Sequence, residues 1–226
     1  MDTKKRTARV AGLLYLAVAI TGFFSPYVRG RLIIAGDVAA TAKNILDSEW
    51  LFRLGMVNDL IMAVSWIMLG YVLYTLFEAV NRNQGLLMVS FVLVGGAITC
   101  INVLNKLAAL LILNSADYFP IFTEGPMQAM LYLDLGKGGN YIAHIFFGLW
   151  LLPLGYLVFK SNFIPRILGI LLAIAGVGYL IDFFVFFLLP DFELKITQFT
   201  FWGEVLLLIW LLIKGIKVQP EKRVTE

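Results

Sequence analysis

The only histidine in the chain, His144, lies inside an almost continuous apolar run, "MLYLDLGKGGNYIAHIFFGLWLL", Met130 to Leu152. The same run holds Asp134, Lys137 and Asn140. Two further acids, Asp182 and Glu204, sit deep in other apolar stretches. An imidazole beside a carboxylate is the pairing that moves protons in general acid–base catalysis. The same groups could instead bind a polar solute, or neutralise one another and fix helix packing. Metal chemistry is poorly served: one His, one Cys and scattered carboxylates make a weak zinc set. No metal and no cofactor are expected. The "LGKGG" run lacks the spacing and the preceding strand of a phosphate loop. No Gly-x-Ser-x-Gly nucleophile motif occurs in the sequence.

These residues must be positioned by membrane helices. Of 226 residues, 60% are hydrophobic and 15% charged, and the mean hydropathy is +0.86. Soluble domains are nearer 45–50% apolar and about 25% charged. The composition points to a polytopic helical membrane protein, all-α, in one domain spanning 1–226. The net charge of +3 is small and gives no reason to expect nucleic acid as a partner. A lone Cys100 excludes an intramolecular disulfide and reads as a packing residue.

A membrane-spanning helix needs about 20 mostly apolar residues. About six stretches qualify: 8–27, 50–77, 86–113, 139–159, 167–189 and 199–216. The first is too long for a signal-peptide core and lacks a small-x-small cleavage site, so it reads as a retained helix. Lys4, Lys5, Arg6, Arg9, Arg82, Lys160, Arg166, Lys214, Lys217, Lys222 and Arg223 fall on one side, eleven of the eighteen basic residues. The opposite loops dilute their bases with Asp37, Asp47, Glu49, Asp117, Glu124, Asp191 and Glu193. Both termini are therefore expected to be cytoplasmic. Two outer loops look helical. In the first, Asp37 is an N-cap after Gly36. In the third, a helix opens at Pro126. Gly136, Gly138 and Gly139 then suggest a short surface helix turning into the fourth span, although one helix from Pro126 would also fit. Arg9-Val-Ala-Gly and Arg166-Ile-Leu-Gly open two spans alike, each with an interfacial arginine followed by a glycine for close packing.

Depths counted at about 1.5 Å per residue place the polar residues. Glu204 falls about 15–20 Å from the cytoplasmic side, close to mid-membrane. His144, Asp182 and Asn102 fall at roughly 22–24 Å, and Asp59, Asn105 and Lys106 near 27–30 Å. Arg53, Lys137 and Asp134 sit at or above the outer interface. Lys137, Tyr141 and His144 share a helix face, as do Asn102 and Lys106, and Tyr179 and Asp182. The expected result is a polar centre shared by five helices, a funnel open to the outside. Its candidates are Glu204, Asp182, His144, Lys106, Asn102, Asn105, Asp59, Arg53 and Lys137. The plainer alternatives stay open: a structural Lys106–Asp182 or Lys106–Asp59 salt bridge, and a neutral His144 bonded to Asn102 or a carboxylate. Trp50 and Trp202 fit an interfacial belt.

"RVAGLLYLAVAITGFF", "SEWLFRLGMVNDL", "PRILGILLAIAGVGYLIDFF" and "GEVLLLIWLLIKG" resemble an uncharacterised bacterial family of multi-spanning membrane proteins, domain of unknown function 4386 (DUF4386). The likeness runs in order over nearly the whole chain, and Arg53, Gly55, Asp59, Asp182 and Glu204 lie within it. It implies a membrane-helical fold in a bacterial cytoplasmic membrane and carries no catalytic roles. Three functions remain open. One is binding or transport of a small solute or amphipathic molecule, lipids included, where six helices are few and a homodimer would help. Another is an intramembrane enzyme using His144 with Asp182 or Glu204. The third is a non-catalytic regulatory or structural membrane component.

Overall fold

A computed structural model of the chain describes residues 2–114, 125–189 and 195–215, with side chains from Lys4 onward. All regular structure among the described residues is helical. The elements are α1 (Asp2–Leu32), α2 (Val38–Asp47), α3 (Glu49–Phe77), α4 (Arg82–Asn114), α5 (Gly125–Leu149), α6 (Leu151–Lys160), α7 (Arg166–Leu188), α8 (Thr197–Thr200) and α9 (Trp202–Ile213). Five runs are long and apolar enough to cross a membrane: Lys4–Leu32, Glu49–Phe77, Arg82–Asn114, Gly125–Lys160 and Arg166–Leu188. The run Thr197–Ile213 is apolar but shorter. At 1.5 Å per residue it still measures roughly 25 Å. Asp117, Glu124, Asp191, Glu193, Lys217, Lys222, Arg223 and the predicted end of the last span at Ile216 lie outside the described residues.

Neighbouring long helices run antiparallel. Thr21 of α1 faces Asn58 of α3, and Gly70 of α3 meets Val92 of α4. Asn102 of α4 meets Gly139 of α5. Gly155 of α6 meets Gly169 of α7, and Gly178 of α7 meets Thr200 of α8. At the other end of the chain Leu212 of α9 packs on Gly12 of α1, and Gly215 approaches Ala8. The start of α1 and the end of α9 thus share one end of the bundle. The glycines of both Arg-x-x-Gly openings sit at these close contacts. Large apolar side chains on the outward faces stay uncovered, among them Leu13, Ile20, Phe23, Tyr71, Ile101, Leu104 and Ile213. In lipid such a girdle is the favourable surface, and only helices satisfy their own backbone there. The chain is a multi-pass helical membrane protein.

The helix expected in the first loop is present. Asp37 caps it by accepting from Ala40 N at 2.8 Å. Its own Thr41 and Ile45 are buried. Thr41 Oγ1 accepts from Ile34 N at 2.9 Å and donates to Ile34 O at 3.1 Å, which ties α2 to the end of α1. The separate surface helix expected in the third loop is not formed. α5 runs unbroken from Gly125 through Gly136, Gly138 and Gly139 to Leu149. Glycine weakens a helix by about 1 kcal/mol per residue in isolation. Here tertiary contact outweighs that: a Cβ on Gly139 would overlap the Asn102 carboxamide, and one on Gly136 would stand 3.5 Å from Asn105 Cβ. The glycines mark where α4 presses on α5, and the break comes later, at Trp150.

Candidate functional site

The predicted candidates divide into separate arrangements. At the end of the bundle away from the chain termini, Glu49 and Arg53 form an exposed pair one helical turn apart, at 2.6 Å. Asn114 donates to the same Glu49 at 3.0 Å. Lys137 stands 5.6 Å from the Phe186 ring centroid. Neither Arg53 nor Lys137 reaches the bundle interior.

Asp59 of α3 pairs with Lys106 of α4 and also accepts from Ser25 of α1. This bears out the Lys106–Asp59 alternative and joins three helices. Beside it, Asn58 Nδ2 donates to Thr21 O at 2.9 Å. Asn102 belongs to a second, α4–α5 seam. Its Nδ2 donates to Gly136 O at 2.8 Å and to Asn140 Oδ1 at 2.9 Å. Its Oδ1 accepts from Asn105 Nδ2 at 2.9 Å. The amide of Asn102 is thereby used between helices and does not reach His144.

Asp182 is buried, at 2% exposure. Its carboxylate accepts from Ile196 N at 2.6 Å, Thr197 N at 3.2 Å and Thr197 Oγ1 at 2.5 Å. It therefore satisfies the open N–H groups at the start of α8, which an isolated helix end leaves unpaired. The spacing of Asp182 on its own helix carried no sign of this role, because its partners lie on a different element.

Glu204 and His144 remain, and they line one cavity. It has a volume of about 430 Å³ and lies between α1, α3, α5, α7, α8 and α9. The gap has a local cause. Gly12 lets α1 touch Leu212 of α9, whereas Gly22, higher on α1, faces open space where a Cβ would stand. Glu204 projects from the first turn of α9 and accepts from the Tyr15 hydroxyl at 2.9 Å. Tyr179 of α7 stands beside the same carboxylate. His144 packs edge-on to Tyr179 at 5.5 Å between ring centroids and to Tyr141 at 5.0 Å. Its Nδ1 is buried and has no hydrogen-bond partner. Asp182, Lys195 and Arg29 act on His144 electrostatically, and none of them lines the cavity. Toward the end away from the termini the lining passes Gly22, Pro26, Thr197 and Gln198. Pro26 has no N–H to give the Gly22 carbonyl, so the helix itself leaves that acceptor open.

The aromatic members, Tyr15, Trp66, Phe147, Trp150 and Tyr179, were not among the predicted site residues. Part of the signal was available. Trp66 and Trp150 fall in mid-span, far from the interfaces where membrane tryptophans concentrate. Tyr15 and Glu204 are 189 residues apart, and no periodicity joins them.

Among the described residues no group of three His, Cys, Asp or Glu could hold a metal ion. What the site offers is one carboxylate with phenol donors, one orphaned imidazole nitrogen and a broad apolar wall.

No solved structure matches the chain. An uncharacterized protein from Archaeoglobus fulgidus is 36% identical over 148 residues, covering 65% of this chain and 74% of that one. Its source is an archaeon, so this relative lies outside the bacterial setting that the resemblance implied. The model of the family described as domain of unknown function (DUF4386) matches residues 10–215, and on that extent the chain belongs to the DUF4386 family.

Proposed function

We propose that the protein binds a small amphipathic molecule in the cavity of Glu204 and His144 and carries it between the bundle interior and the extracytoplasmic side of a cytoplasmic membrane. The observation that supports this is the volume itself, about 430 Å³ bounded by a carboxylate, an imidazole and apolar walls. Ligand sites are commonly concave and mostly apolar with a few convergent polar groups. Ionisable residues inside a membrane bundle commonly mark such sites. The cavity's outer reach toward Pro26 and Gln198 supports entry from the side opposite the termini.

The test is ligand-dependent thermal stabilisation of the purified protein, with a panel of neutral, anionic and cationic amphipaths. Binding to the native state alone adds about 2.7 kcal/mol at a hundredfold excess over Kd. Gly22→Leu fills the open space on α1 without meeting a neighbour at Cβ. It should keep the unliganded melting temperature and abolish the ligand shift. A panel with no shift in the native protein, or a shift that Gly22→Leu leaves intact, rules the cavity out as the site.

An enzymatic reading draws on the orphaned His144 Nδ1. Asp182 is committed to α8, so Glu204 would be the acid left to work with it. His144→Asn retaining full biological activity would exclude this reading.

A further inference from the structure

This inference rests on the cavity reading and names the class of ligand. The rings around Glu204 form a circuit. Tyr15 meets Trp150 with centroids 6.0 Å apart, Trp150 meets Trp66 at 5.7 Å, and Trp66 meets Phe147 at 4.5 Å. Phe147 meets Tyr179 at 6.1 Å. Glu204 closes the circuit between Tyr179 and Tyr15. Ordinary core packing accounts for the ring contacts, which are tilted or edge-on as aromatic pairs prefer. It does not account for an acid set among them beside an unfilled volume.

Charge decides what fits. Glu204 is half-buried at an apolar wall, where a carboxylate is hydrated, protonated or met by a cation. None of the described lining residues is Lys or Arg. The described salt bridges use their bases elsewhere, Arg53 on Glu49 and Lys106 on Asp59. The two phenols donate hydrogen bonds and carry no charge. The His144 imidazole is the one basic group on the described lining, and it packs on Tyr179 with no hydrogen bond or ion pair to Glu204, which leaves the carboxylate to be met by a proton or a cation from outside the chain. An inorganic cation would need several oxygen ligands gathered at one point, and only the Tyr15 and Tyr179 phenols stand beside the Glu204 carboxylate, while Gly22, Thr197 and Gln198 lie toward the far end of the lining. A proton suffices for the empty site. For the occupied site, indole and phenol faces attract ammonium groups that are weakly hydrated. We infer that the cavity takes a hydrophobic organic monocation, its ammonium group held by Glu204 and its apolar body lying among Trp66, Trp150 and Phe147.

The test uses the full chain in a nonionic detergent and follows tryptophan fluorescence. Three probes are titrated: benzyltrimethylammonium, its uncharged shape mimic neopentylbenzene, and benzenesulfonate. Affinities are corrected for partition into empty micelles. The cation is expected to saturate the signal at least tenfold more tightly than either other probe. Glu204→Gln is expected to erase that preference and Glu204→Asp to retain part of it. The comparison in the native protein needs no variant, so a misfolded Glu204→Gln leaves the test standing. Equal binding of the neutral mimic, or preference for the sulfonate, overturns the cationic class and leaves the cavity reading intact. If the amphipath panel binds and the cation does not, the class fails alone. If nothing binds at all, both fail.

Discussion

Asn102 shows how a polar side chain in an apolar bundle can be consumed by packing. Its amide bridges a backbone carbonyl and another amide on α5. Asn102→Ala should therefore lower stability by about 1–2 kcal/mol, as interhelical hydrogen bonds in membranes do at the upper end of their range. Its ligand shifts in the native-like fraction should be unchanged. Chemical or thermal unfolding in detergent checks the first, and the amphipath panel the second. Lys106 and Asp59 make a different case, because both charges are largely removed from water, with side-chain exposures of 24% and 14%. Lys106→Met leaves Asp59 with the Ser25 hydroxyl alone and should cost about 1–3 kcal/mol. Adding Asp59→Leu should recover part of the loss. A double-mutant cycle that finds the two changes additive would show the pair uncoupled.

Helix α7 meets α6 and the end of α5 through glycine on both sides. A Cβ on Gly155 would stand 2.6 Å from the Gly169 carbonyl oxygen, and one on Gly148 would stand 2.6 Å from that of Gly176. Backbone cannot give way as a side-chain tip can. Gly155→Ala should destabilise by about 1–3 kcal/mol through overpacking, although alanine is the better helix former. Gly138 lies in the same kind of helical backbone with nothing within 4 Å of its missing Cβ. Gly138→Ala should be neutral or stabilising by about 0.5–1 kcal/mol. Opposite signs for one chemical change, read by thermal unfolding, test whether helix contact or helix propensity governs these positions. The same contrast explains α5. Its glycine-rich stretch looked like a hinge by propensity, and contact with Asn102 and Asn105 keeps it helical.

The antiparallel order of the long helices sets a testable topology. Lys43 on α2 and Asn83 at the start of α4 are exposed at opposite ends of the bundle. In a Cys100→Ser background, Lys43→Cys should react with an impermeant thiol reagent on intact cells, after permeabilising any outer envelope. Asn83→Cys should react only after lysis. The reverse pattern would place the termini outside and contradict the excess of Lys and Arg at their end.

Composition and hydropathy were enough for a multi-pass helical protein, because a bilayer leaves a chain this apolar few alternatives. The positions of the long helices, the Asp37 cap and the close packing of Gly12 and Gly169 were legible for the same local reasons: run length, capping chemistry and side-chain size. Depth along each helix could be counted from a constant rise per residue, and it set Glu204 deepest with His144 level with Asp182 and Asn102. Azimuth was not. Depth alone merged Asp59, Lys106, Asn102, Asp182, His144 and Glu204 into one funnel. The tertiary structure separates them, because each faces a different neighbour: Lys106 a carboxylate on α3, Asn102 a bare carbonyl on α5, Asp182 the start of α8. Only the fold decides that Tyr15, Trp66, Trp150 and Tyr179 surround Glu204. Their contacts join residues from opposite ends of the chain, and such contacts depend on how helices rotate and tilt against one another, which no local spacing records.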